Sequence, residues 1–95
     1  MGFTIETYQL YGLPPLNIYT TIKGSYRVQK DYVTNFYNIY FTVFFQISKT
    51  DPVITQREMN FTIQALPDPA VLYKIIYDYI QGQLDPEDKF MFIDD

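Results

Sequence analysis

Residues 36–48 read Phe36-Tyr37-Asn38-Ile39-Tyr40-Phe41-Thr42-Val43-Phe44-Phe45-Gln46-Ile47-Ser48. Tyr37, Ile39, Phe41, Val43, Phe45 and Ile47 alternate without a miss. That period of two is the signature of a strand with one buried face. The opposite face is mixed, and Phe36, Tyr40 and Phe44 place aromatics on it at every fourth residue.

Working outward, Asp31-Tyr32-Val33-Thr34-Asn35 has the length and composition of a hairpin loop. Before it, residues 17–30 form a second strand. Ile18, Ile22, Tyr26 and Val28 share one face with Thr20 and Gly24, and Tyr19, Thr21, Lys23, Ser25, Arg27 and Gln29 share the other. Gly24 on the apolar face predicts a bulge or a close approach. After the central strand, Asp51-Pro52 marks a turn within 49–55. Residues 56–65 give a third strand, with Met59, Phe61, Ile63 and Ala65 on the apolar face. The sequon Asn60-Phe61-Thr62 falls inside it and reads as chance.

Asp68-Pro69 then predicts a helix start, with Asp68 as N-cap and Pro69 at the first helical position. The helix spans 69–82, with Gly82 as its stop. Val71, Leu72, Ile75, Ile76, Tyr79 and Ile80 make the expected buried stripe. Tyr73, Lys74, Tyr77, Asp78 and Gln81 face away.

The expected fold is therefore α+β. It has a three-stranded antiparallel meander over 17–65, one C-terminal helix on its apolar face, an extended N-terminal arm over 1–16 and an acidic C-terminal tail over 83–95. A consistent register pairs Val28 with Ile39, Tyr26 with Phe41 and Ile22 with Phe45. It also pairs Phe45 with Met59, Val43 with Phe61 and Phe41 with Ile63, so both hairpins agree on the core face. The thirteen-residue central strand spans about 43 Å, whereas the helix covers about 20 Å. The far end, with Ile18, Ile22, Phe45 and Ile47, needs another cover, from the arm or from a partner chain. In the arm, Phe3, Ile5, Tyr8, Leu10, Tyr11 and Leu13 fit neither period, so an edge strand on its own domain and an arm on a neighbour are equally open.

Charge divides unevenly. Up to residue 84, Lys23, Arg27, Lys30, Lys49, Arg57 and Lys74 balance Glu6, Asp31, Asp51, Glu58, Asp68 and Asp78. Asp85, Glu87, Asp88, Asp94 and Asp95 against Lys89 then account for the whole net charge of −4. A neutral body argues against binding a phosphate backbone. The longest apolar run, Phe90 to Ile93, is far too short to span a membrane, and Met1 to Glu6 lacks the features of a signal peptide.

Catalytic chemistry has little to draw on. With no His, the commonest general base and metal ligand are missing, and with no Cys, disulfides and thiolate metal sites are excluded. Ser25 and Ser48 have no motif around them, and the four glycines are too scattered to cradle a phosphate. Asp85, Glu87 and Asp88 do not have the spacing of a calcium loop and read as a solvated acidic segment. No catalytic residue, cofactor, metal or small-molecule substrate is expected.

Interaction surfaces are better represented. Phe36, Tyr40 and Phe44 on the second sheet face, and Tyr73 and Tyr77 on the outer helix face, exceed what a core requires, and Tyr and Phe are enriched at protein interfaces. Phe90, Met91, Phe92 and Ile93 are too apolar for an idle end. The tail is expected to extend from the domain and dock on a partner, as a strand added to a sheet edge, with folding back over the unshielded end of its own sheet as the alternative.

In general character this small, neutral, aromatic- and Thr-rich body resembles the small accessory virion proteins of tailed bacteriophages. The resemblance lies in texture over the whole chain and implies head, neck, tail or baseplate assembly. It also implies a location in the virion or the host cytoplasm. The expected function is a structural or assembly subunit whose partners are other protein chains, in a homo-oligomer or a hetero-complex. The alternatives are a small inhibitor or adaptor that binds a host protein through its tail or sheet face, and a single-stranded nucleic-acid binder that stacks bases on its open sheet.

Overall fold

A computed structural model describes residues 2–9, 12–23 and 26–94. The central strand forms as its alternation requires. It spans Tyr37–Gln46, and Ile39, Phe41, Val43 and Phe45 are all buried. In chain order the elements are β1 (Phe3–Tyr8), β2 (Leu16–Thr21), β3 (Tyr26–Lys30), β4 (Tyr37–Gln46), β5 (Val53–Ile63), α1 (Pro69–Leu84) and β6 (Phe92–Asp94). All six strands join one antiparallel sheet. The three-stranded meander expected from the sequence is thus corrected to a six-stranded sheet with one helix.

Three features produce the difference. The first is a break in the 17–30 strand. Thr21 pairs with Phe44 and Tyr26 with Phe41, so four positions on one side oppose only Thr42 and Val43 on the other. The two extra residues leave side-chain phase unchanged, because two is the strand period. β2 and β3 therefore follow one another along the same edge of β4. Val28 meets Ile39 and Tyr26 meets Phe41 as the sequence implies, but Phe45 meets Thr20 in place of Ile22. Gly24, where a bulge is expected, and Ser25 lie outside the described residues.

The second feature is the arm. β1 pairs with β2 through Phe3–Thr20 and Ile5–Ile18, then slips by one residue to Tyr8–Leu16. Thr7, at the slip, has φ 53°, and its N–H donates to Asn17 Oδ1 at 3.1 Å. One extra residue inverts the phase of a strand. Phe3, Ile5 and, past the bulge, Tyr8 thereby all turn to the core, which explains why the arm fits no single period. The arm packs on its own domain: Phe3 and Ile5 are fully buried. Leu10 and Tyr11 lie outside the described residues.

The third is the tail. Asp85, itself buried, accepts the N–H groups of Lys89 and Phe90 on its carboxylate. The chain folds back, and β6 pairs with β1 through Ile5–Phe92, Thr4–Ile93 and Phe3–Asp94. The tail adds a strand to a sheet edge, as its sequence invites, but the edge belongs to its own sheet. The expected extended, partner-docked tail is corrected accordingly. Asp95 lies outside the described residues.

β5 pairs with β4 four residues away from the expected register, with Met59 opposite Phe41, Phe61 opposite Ile39 and Ile63 opposite Tyr37. Loop chemistry decides this. Ser48 Oγ donates to Asp51 Oδ2 at 2.7 Å, the Asp51 N–H donates to Ser48 O at 3.2 Å, and Gln46 Nε2 donates to Asp51 O. These bonds close the chain over 47–52, earlier than the expected turn.

The helix starts at Pro69, but the Asp68 side chain makes no capping bond. It runs through Gly82 to Leu84, where burial of Leu84 favours the two added residues. Its buried stripe is Leu72, Ile76, Tyr77, Ile80 and Leu84, while Val71 is exposed. The stripe is thus rotated toward Tyr73 and Tyr77, the residues expected to face away. Tyr77 packs edge-on against Phe3, and its hydroxyl accepts the Ile22 N–H at 3.5 Å. Tyr73 packs edge-on against Tyr26. The far end of the sheet, which the helix was too short to shield, is closed by the arm: Ile18, Ile22 and Phe45 are buried, and Ile47 alone of that group is exposed.

Candidate interaction surface

The helix, arm and tail leave open the outer edge of β5 and the part of the opposite sheet face over β3 and β4; toward β2 that face is closed, and Tyr19, Thr21 and Gln46 are buried there. On the face, β4 presents Tyr40, Thr42 and Phe44, and β3 presents Arg27. The Arg27 guanidinium lies 4.8 Å from the centre of the Tyr40 ring, and Lys23 Nζ lies 5.0 Å from that of Phe44. These cation–π contacts hold both cations against the sheet. Together with Glu58 and Asn60 they line a cleft of about 790 Å³. Its walls combine both signs of charge with amide and aromatic groups. They suit a polypeptide better than a phosphate-rich ligand.

The expected contact residues divide into two groups. Tyr40 and Phe44 lie half-buried on the open face, and Phe36 is exposed beside the hairpin. Met91 and Ile93 are exposed at 68% and 50%. The others serve the domain itself. Tyr77 is buried, Tyr73 packs against Tyr26, Phe90 against Tyr8, and Phe92 against Phe3.

The edge of β5 escaped the sequence reading. Which of its backbone groups are free follows from the sheet's hydrogen-bond alternation. The Asp31 N–H donates to Phe36 O at 2.8 Å, which makes that pair hydrogen-bonded. Antiparallel pairs alternate between bonded and non-bonded. Asn38 and Tyr40 therefore point their backbone groups at β3, and Tyr37, Ile39, Phe41, Val43 and Phe45 point theirs at β5. The same count carried across β2 and β1 requires Glu6 to bond toward the tail, and its N–H does donate to Met91 O at 3.1 Å. On β5, then, Thr55, Arg57, Met59, Phe61 and Ile63 bond to β4. Gln56, Glu58, Asn60 and Thr62 direct their N–H and C=O groups outward, and Ile54 lies at the bulge where the β4–β5 register shifts.

Among the described residues β5 pairs only with β4. It is the longest strand of the sheet, and Ile54 through Glu58 are exposed. The other free edges are guarded: β6 is three residues long and ends in Asp94, and β3 is five residues long with Arg27 and Lys30. Short, charged edges resist pairing with other chains, whereas a long one, regular here from Thr55 to Ile63, invites it. A signal was present in the sequence, since 53–63 contains neither Pro nor Gly. Knowing that β5 would end the sheet required the topology.

Among the described residues no group of three or more acidic side chains is placed to hold a metal ion, and no helix is long and apolar enough to cross a membrane. The Asp85 carboxylate faces backbone N–H groups, and Glu87 pairs with Lys89. Comparison with protein-family models, curated proteins and solved structures gives no match.

Proposed function

We propose that this protein is a non-enzymatic assembly subunit that joins other protein chains by strand addition at the edge of β5, with the aromatic outer face as adjoining contact. One observation carries the reading: an eleven-residue edge strand, exposed over Ile54 to Glu58, whose outward backbone groups have no pairing strand among the described residues. Strand addition supplies partners for those groups, and side chains on alternate residues supply specificity. The chain's likeness in texture to small accessory virion proteins of tailed bacteriophages supports the same reading and gives such a subunit its setting, in a head, neck, tail or baseplate. Light scattering over a concentration series tests the proposal. A mass that rises above that of one chain is the expected result. A mass fixed at 11.3 kDa at every concentration would overturn it and favour an adaptor that binds a different protein.

A further inference from the structure

We infer that the strand added to β5 is β5 of a second copy, paired antiparallel about a two-fold axis that passes through Met59. This deepens the assembly reading above and rests on it.

The first constraint is hydrogen bonding. Along the regular part of β5, Thr55 to Ile63, only Gln56, Glu58, Asn60 and Thr62 have outward backbone groups, so only these can form bonded pairs across the new edge. Even-numbered residues must then face even-numbered ones, and both helices lie on the same side of the joined sheet.

The second constraint is charge, because like charges directly opposite each other destabilise an antiparallel pair. A two-fold axis at Arg57 sets Arg57 against its own copy. An axis at Glu58 does the same with two carboxylates. An axis at Met59 avoids both. It pairs Glu58 with Asn60 of the second copy, where an amide N–H can donate to the carboxylate. It pairs Arg57 with Phe61, a cation against an aromatic ring. Gln56 then faces Thr62, and Thr55 faces Ile63.

The third constraint is length. With the axis at Met59, residues 55–63 of each copy pair. Moving it on to Asn60 leaves only 57–63 paired, and moving it back to Gln56 leaves only 53–59. Met59 therefore centres the longest register free of like-charge pairs. Adjacent Arg57 and Glu58 act as a register lock more than as an edge guard. They penalise the alignments centred on themselves and permit this one.

The natural absence of Cys makes a direct test possible, since any thiol introduced is the only one. Met59 would sit opposite its copy in a non-bonded pair, with Cα atoms about 4.5 Å apart, within disulfide reach. Met59→Cys should oxidise to a covalent dimer. Because Met59 is buried, the exposed variants Glu58→Cys and Asn60→Cys provide a second route. Each alone should stay monomeric on oxidising gels, and an equimolar mixture should give the crosslinked heterodimer. Self-crosslinking of Glu58→Cys or of Asn60→Cys alone would overturn the register. Oligomers in solution that crosslink at none of these positions would overturn the pairing of β5 with its own copy and leave standing only that the chain assembles, through another contact. A wild-type chain that stays monomeric at every concentration would overturn both.

Discussion

The carboxylate of Asp85 accepts the backbone N–H of Phe90 at 2.8 Å. It takes the N–H of Lys89 as well, at 2.7 Å. One side chain thereby reverses the chain after α1 and aims Phe90 at Tyr8 and Phe92 at Phe3. Asp85→Ala removes the acceptor of two part-buried N–H groups, at a cost of about 1 kcal/mol. For a domain of this size that lowers Tm by several degrees. Asp85→Asn keeps one acceptor oxygen and should lose less. Truncation after Leu84 should also lower Tm, because it uncovers Phe3 and removes β6. A truncated chain that melts with the full one would show that the tail adds nothing to the fold.

Thr20 is fully buried on the core face, between Phe3 and Phe45, and its hydroxyl has no hydrogen-bond partner among the described residues. Thr20→Val replaces that hydroxyl with a methyl group of similar size. Relief of an unsatisfied buried group should stabilise the protein by about 1 kcal/mol or more. Urea unfolding should show a higher midpoint with an unchanged slope.

Gly2 permits the first strand to lie close against β2. A Cβ at that position would stand 2.6 Å from both the Thr20 carbonyl oxygen and the Tyr19 hydroxyl. Backbone cannot yield as a flexible side-chain tip does, so Gly2→Ala should cost about 1–3 kcal/mol. Thermal melting of the variant tests this, and an unchanged Tm would show that the chain's first residues can shift freely.

Asp31 closes the β3–β4 hairpin. Its Oδ1 accepts the Val33 N–H at 2.9 Å, and Asn35 completes the loop at φ 62°. The bond from Val33, followed by those from Thr34, holds the Asp31 carboxyl below its ordinary pKa of 3.8. A carboxylate whose pKa is lower in the folded state stabilises the fold above its unfolded value and loses that contribution as pH falls through the folded one. Asp31→Asn keeps an acceptor but cannot ionise. Its stability should therefore fall less steeply than that of the wild type below about pH 4, a difference that acid titration monitored by circular dichroism would detect.

Periodicity in the sequence assigned faces. Alternation over 37–47 put Ile39, Phe41, Val43 and Phe45 inside, the loop at 31–35 paired Tyr26 with Phe41, and Asp68-Pro69 marked the start of the helix. Tertiary structure decided which strands meet. A slip of four residues leaves every face as it was, so hydrophobic pattern could not tell Met59 opposite Phe41 from Met59 opposite Phe45. The bonds around Ser48 and Asp51 chose the first. Pairing of Phe3 with Asp94 joins the two ends of the chain, and no local pattern encodes a contact at that separation. Tyr77 looked like a surface residue because its neighbours on one helix face are polar. The arm brought Phe3 and the Ile22 N–H within its reach, and a ring with a hydroxyl at its tip could satisfy both. The edge of β5 is free for the same reason: which strand ends a sheet depends on where the arm and the tail add theirs, and both joined the side of β2.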